Sequence, residues 1–144
     1  MTLYHYTCDD GRRAIGDEGL LKPWSHGVVW LTDLELPFRE PLGLTSYVLG
    51  CDRSQHRYRV TDETTCVPWV KFARRDRSIE IEGTKPMHWW VSEEPVPVVY
   101  DPHRITSMDQ LLTPEERLRM RDQLAYMAKL RRRAEAEAGG VWMA

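Results

Sequence analysis

Leu3-Tyr4-His5-Tyr6-Thr7 and, further on, Gly27-Val28-Val29-Trp30-Leu31-Thr32 are the two stretches on which the fold reading turns. The first alternates in the manner of a short strand. The second is β-branched and aromatic, which suits a pleated, half-buried surface. Between them Cys8-Asp9-Asp10 supplies N-cap chemistry for a helix from about Gly11 to Glu18. Gly19 can stop that helix, because glycine tolerates the left-handed conformation at C′. Leu20 to Trp24 reads as extended and Ser25-His26-Gly27 as a turn. The expected order is therefore strand, helix, extended turn, strand.

Beyond this opening, Asp33 to Pro41 carries two prolines and is expected to be irregular, leading into a short helix around Leu42 to Leu49. Gly50 to Gln55 is turn-like, and His56 to Thr61 alternates as a half-exposed strand. Val67 to Phe72 is expected to pack a turn of helix against the sheet. His88 to Ser92 and Val96 to Tyr100 read as a strand pair, or as one strand broken near Glu93-Glu94-Pro95, with Pro95 and Pro97 placing it at an edge or bend. Thr113-Pro114-Glu115-Glu116 is a capping box with proline at the first helical position. It predicts a helix running to about Ala138 and ending at Gly139-Gly140. Met120, Leu124, Met127 and Ala128 form a narrow apolar stripe on it, and Arg131-Arg132-Arg133 complements its C-terminal dipole.

Composition fits a globular protein: 144 residues, 42% hydrophobic, 29% charged, net charge -2. No apolar run approaches the roughly 18 residues that cross a bilayer, and no signal-peptide pattern opens the chain. A cytoplasmic location without membrane contact is expected. The three cysteines, Cys8, Cys51 and Cys66, are far apart and lack a CxxC pair, so they read as reduced, structural thiols, and no metal site is expected. Six tryptophans are many for this length and serve cores and ligand-stacking walls equally well. The fold class is α+β, with one domain over residues 1–112, the C-terminal helix over 113–138 packed on it or used for association, and a tail over 139–144.

A histidine on the first strand and an indole on the next suggest site chemistry. A neutral imidazole can meet a sugar hydroxyl, Trp30 can wall a nicotinamide or purine ring, and a carboxylate from a later strand can stabilise an oxocarbenium-like transition state. The histidine-x-threonine strand, the helix ending in Glu18-Gly19-Leu20 and the strand Gly27 to Thr32 resemble the opening of the ADP-ribosyltransferase superfamily, including its RNA 2′-phosphotransferase relatives, over about residues 1–32. The resemblance implies a split β-sheet core with flanking helices and NAD as substrate. It implies that His5 and Thr7, with Tyr6 between them, hold ribose and amide. Trp30 then stands where tyrosine is commoner in the transferases, and Glu94 is the first candidate for the catalytic glutamate that full triads place at a late strand. Glu93, Glu80 and Glu82 follow it. Adjacent strand residues face opposite sides, so Glu93 and Glu94 cannot share one cleft without a bulge. Arg57 and Arg59 share a strand face from which they could contact a pyrophosphate or an RNA phosphate.

The leading expectation is NAD-dependent ADP-ribosyl transfer, or NAD glycohydrolysis, with an unidentified protein or nucleic-acid acceptor. An alternative is a non-catalytic binding module of the same fold, of a phage or mobile-element type, with a homodimer or partner contact through the C-terminal helix. A third is phosphate transfer from RNA to NAD, for which His56, Arg57 and Arg59 are the basic supply. Ser25-His26 is set aside as a nucleophile pair, having no acid spaced to orient it and no nucleophile elbow around it.

Overall fold

The computed structural model describes residues 1–44, 53–74, 76–104 and 113–142, with the side chains of 120 and 139–142 outside that description. The chain divides into two units, Met1–Leu111 and Leu112–Ala144. Among the described residues the first holds seven strands: β1 (Tyr4–Thr7), β2 (Leu20–Leu21), β3 (Val29–Thr32), β4 (His56–Val60), β5 (Val67–Pro68), β6 (Trp89–Ser92) and β7 (Val96–Tyr100). Two helices accompany them, α1 (Asp9–Ile15) and α2 (Trp69–Ala73). The sheet is antiparallel in every recorded pairing, in the order β2-β7-β4-β1-β3-β6-β5. The architecture is α+β.

Side-chain alternation sorts the strands onto two faces. On one face Leu3, Leu31, Tyr58, Val60, Val96 and Val98 pack with Ile15 of α1 and Leu21 of β2 into a first core. On the other, Val28, Trp89 and Val91 pack with Trp69 of α2 into a second, joined by the half-buried Trp30, Leu42 and Phe72. The sheet is continuous in order but weakly joined at its centre. Four residue pairs tie β1 to β4 and four tie β3 to β6, whereas β1 and β3 share the single pair Tyr4–Thr32.

Helix α1 starts at Asp9 rather than Gly11, directly off β1, with Cys8 at the N-cap and no side-chain cap bond. Asp9 and Asp10 thus act from within the first turn, where carboxylates meet the positive end of the helix dipole. A 3-10 turn over Gly16–Glu18 follows, and Gly19 closes it at φ 63°, ψ 37°. Glycine is needed there twice over, since a Cβ would also lie 2.8 Å from the Val98 carbonyl oxygen.

Three other expectations change. First, β6 and β7 do not pair with each other: β6 lies between β3 and β5, and β7 between β2 and β4. Second, β7 is therefore interior. Pro97 is accommodated because its nitrogen and carbonyl face Thr61, just past the end of β4, where the carbonyl still accepts the Thr61 amide at 3.0 Å. Third, Cys8 is disulfide-bonded and Cys66 carries the free thiol among the described residues, so the cysteines are not all reduced. The expected helix around residues 42–49 lies outside the described residues from 45 onward, as does Cys51.

The second unit is the helix α3 (Pro114–Trp142). Its capping box is formed as the sequence predicts: the Glu116 amide donates to Thr113 Oγ1 at 3.2 Å, and the Thr113 amide donates to Glu116 Oε1 at 3.3 Å. The helix passes through Gly139-Gly140 instead of ending there, because a long propagating ladder tolerates two weak formers near its end. Leu124 and Met127 of the apolar stripe are exposed, together with Leu118, Tyr126 and Leu130; Met120 is outside the described side chains. No described helix is long and apolar enough to cross a membrane.

Candidate functional site

The point where β1 and β3 part is marked by His5. Its cross-strand partner on β4 is Tyr58, a first-core residue, so the imidazole leaves β1 on the first-core face. There it turns toward β3, and Nδ1 meets the Trp30 carbonyl at 2.8 Å. A carbonyl only accepts, so Nδ1 carries the proton. In the neutral ring Nε2 is then an acceptor, which suits a ligand hydroxyl. Burial holds the imidazole below its ordinary pKa; the Trp30 hydrogen bond opposes that effect and the nearby Arg53 charge adds to it.

Thr7, one alternation along, is buried on the same face, with the backbone of α1 at Gly11 lying against its hydroxyl. Trp90 is also on this face, opposite Leu31, and its indole N–H is buried without a hydrogen-bond partner among the described residues. Buried donors are nearly always paired, so this one is a candidate ligand contact.

The Trp30 side chain is elsewhere. Val29 and Leu31 face the first core, so the indole leaves β3 on the opposite face from His5. It lies tilted on Trp69 at 4.9 Å and edge-on to Trp89 and His26 at 6.1 and 5.9 Å, and its N–H donates to the Ser25 carbonyl at 3.2 Å. What His5 and Trp30 share is the backbone carbonyl, not a common wall of rings.

Tyr6, Arg57 and Arg59 face the same side as Trp30. The buried Tyr6 hydroxyl donates to the Leu34 carbonyl at 2.7 Å, and burial raises its pKa. Arg57 lies 4.8 Å over the Tyr4 ring, donates to the Asp101 and Glu35 carbonyls, and pairs with the Asp101 carboxylate at 3.3 Å. Arg59 approaches that same carboxylate at 3.7 Å. Arg57 also borders a groove of about 490 Å³ with Leu36, Asp101, Pro102, His103 and Arg104. Its guanidinium is already committed to protein acceptors, which leaves Arg104 as the cation of that groove not tied to Asp101.

The candidate carboxylates are dispersed. Glu94 and Glu93 are exposed on the turn between β6 and β7, where Ser92 Oγ bonds both the Glu94 carbonyl and its amide. Glu80 accepts the Trp69 indole N–H at 3.0 Å and pairs with Arg77 at 2.7 Å, so it serves the second core. Glu82 is exposed. None of the four is among the recorded partners of His5. Ser25 and His26 bond each other at 2.9 Å within a tight turn where His26 adopts φ 59°.

Residues absent from the sequence reading also matter. Arg53 biases His5 toward neutrality, and Trp90 supplies the unpaired donor. The only signal for Trp90 was its place in the Trp89-Trp90 pair, whose alternation sends one indole to each core. Among the described residues no group of three or more His, Cys, Asp or Glu could hold a metal ion. The chain matches no family model, no curated protein and no solved structure.

Proposed function

We propose that the parting between β1 and β3 is a nucleotide cleft in which the chain binds NAD and transfers its ADP-ribose to an acceptor or to water. The observation that carries this reading is the state of His5. It is an imidazole at the single-pair seam between β1 and β3, oriented by the Trp30 carbonyl so that Nδ1 donates and Nε2 is left as acceptor, with burial favouring the neutral ring. Such a nitrogen accepts a ribose hydroxyl and imposes no charge of its own. The Trp90 indole N–H on the same face offers a donor for a carboxamide or ribose oxygen.

In the reaction the bond from the anomeric carbon to the nicotinamide nitrogen breaks, and its electron pair leaves with nicotinamide. The oxocarbenium-like carbon is then captured by the acceptor's lone pair, and the acceptor loses a proton. Glu94 is the carboxylate proposed to stabilise the developing positive charge, acting from the turn before β7.

The test is release of nicotinamide from NAD by the full chain. His5→Ala is expected to lower it about 10²-fold, the cost of misplacing a substrate by an ångström, and Glu94→Gln to lower it with little change in NAD affinity. Wild-type chain that releases no nicotinamide sinks the enzymatic reading. The absence of a carboxylate among the partners of His5 favours a second reading, NAD binding without turnover. That reading predicts a thermal shift with NAD, about 2.7 kcal/mol of stabilisation at a hundredfold excess over Kd, with no product.

A further inference from the structure

A separate cluster lies where α1 meets β4 and β7. Asp9 Oδ1 is 2.5 Å from His56 Nε2, and His56 Nδ1 is 3.0 Å from the Tyr100 hydroxyl. The carboxylate accepts, so Nε2 bears the proton, Nδ1 is the acceptor of the neutral ring, and the Tyr100 O–H donates to it. Arg12 completes the chain of contacts. Its guanidinium carbon lies 4.0 Å over the Tyr100 ring, and one N–H donates to the phenol oxygen at 3.2 Å.

The arrangement is held from several elements. Gln55 accepts the Asp9 amide at 3.1 Å, and Tyr58 stands edge-on to Tyr100 at 5.3 Å. The His56 side chain is only 14% exposed, while Tyr100 is 40% exposed. Tyr100 opens with Arg12, Arg13, Tyr58 and the bare backbone of Gly16 onto a groove of about 510 Å³. Carboxylate, imidazole and hydroxyl in line are the parts of an activated nucleophile: a base in contact with the attacking group and an acid orienting the base. The groove's charged lining is Arg12, Arg13 and Asp17, two cations against one carboxylate, and that positive balance suits an anionic substrate.

We propose that Tyr100 is the nucleophile of a second site that takes phosphate esters in this groove. The phenol oxygen attacks phosphorus, forming a tyrosyl–phosphorus bond as the bond to the alcohol leaving group breaks. The phenol proton passes to His56 Nδ1, the Asp9 carboxylate stabilises the resulting imidazolium, and the departing alkoxide takes that proton. Water then cleaves the tyrosyl phosphate, returning the phenol and releasing phosphate. Arg12 and Arg13 face the charge on the phosphoryl oxygens, and Arg13, whose partner Asp10 is an exposed surface carboxylate, can exchange that pair for the phosphoryl group.

The probe is an aryl sulfonyl fluoride, a tetrahedral electrophile that marks reactive phenols, with the labelled residue identified by mass spectrometry. Tyr126 on α3 is the internal comparison, being more exposed at 63% and remote from His56 in sequence. Tyr100 is expected to react about 10²-fold faster than Tyr126, at the lower end of what a positioned base contributes. Asp9→Asn and His56→Asn should each bring Tyr100 down to the rate of Tyr126, and phenyl phosphate should slow Tyr100 alone. Labelling of Tyr126 as fast as Tyr100 in the wild-type chain overturns the proposal without recourse to any variant. An unchanged Tyr100 rate in both variants does the same, because a purely structural latch would behave so. Reactivity that phenyl phosphate does not slow overturns the phosphate-ester assignment.

Discussion

Gly11→Ala probes the contact that seats α1 on β1. A Cβ at Gly11 would lie 1.7 Å from Thr7 Oγ1, 3.0 Å from its Cβ and 3.3 Å from its Cγ2. Of the other two χ1 rotamers of Thr7, one carries Cγ2 into the position that Oγ1 vacates, and in the other, which puts Hβ there, Thr7 Cβ still lies 3.0 Å from the added methyl. Alanine is better than glycine in a helix interior by about 1 kcal/mol, and that gain opposes the clash. Overpacking a well-packed site costs about 1–3 kcal/mol, and a contact this short belongs at the upper end. The net expectation is a loss of about 2 kcal/mol, roughly 8 °C in Tm for a unit of this size. Thermal unfolding by circular dichroism checks it, with a double-mutant cycle using Thr7→Ala. Removing Oγ1 and Cγ2 should make Gly11→Ala nearly neutral, a coupling of about 1–2 kcal/mol. A Gly11→Ala chain as stable as wild type, or an additive cycle, refutes the claim that Thr7 is what requires glycine there.

His5 has its pKa lowered from 6.5 in the folded chain, so the unfolded chain binds the proton more readily. The stability it contributes is full above that value and is lost as pH falls through and below it. Urea melts from pH 7.5 to 5 should therefore show a steeper loss for wild type than for His5→Gln; parallel curves contradict the assignment. The Cys66 thiol is pushed up to about 11, by burial first and then by Glu63 and Asp62. Its alkylation by iodoacetamide in the native chain should be slow at pH 8 and rise toward pH 11, where a half-rise near 8.5 would count against that environment. Thr113→Ala removes the side-chain half of the capping box, the Oγ1 acceptor of the Glu116 amide, while keeping its own backbone amide for Glu116, and a loss of about 1 kcal/mol in helix stability should appear as reduced ellipticity at 222 nm.

Much of the local structure was legible in the sequence because it rests on local physics. Tyr4 to Thr7, Val29 to Thr32 and His56 to Val60 alternate, Gly19 adopts the left-handed stop, and Thr113 and Glu116 close their box within one turn. What escaped was partner choice. Val96-Pro97-Val98 after Trp89 to Ser92 reads like the second arm of a hairpin, yet Val98 is set beside Val60 of β4, and Trp90 beside Leu31 of β3. Nothing within either run distinguishes these outcomes, because both offer apolar side chains at period two. The Asp9–His56–Tyr100 chain was hidden for the same reason, since its members come together only when β1, β4 and β7 are already side by side.

The weak seam between β1 and β3 gives His5 two tasks that cannot be separated by deleting it. Where a ladder is interrupted, backbone carbonyls lose their amide partners, and a buried orphan costs about 1–3 kcal/mol. The His5 imidazole takes the place of the missing amide at Trp30, so the side chain that would meet a ligand also closes the backbone accounting of β3. His5→Ala therefore removes an acceptor from the proposed cleft and leaves the Trp30 carbonyl uncovered in one step. A variant that keeps an N–H donor within reach, His5→Asn, separates the two: restored stability with activity still lost places Nε2 in the chemistry. Recovery of both would mean that the donor to Trp30 was all the site required.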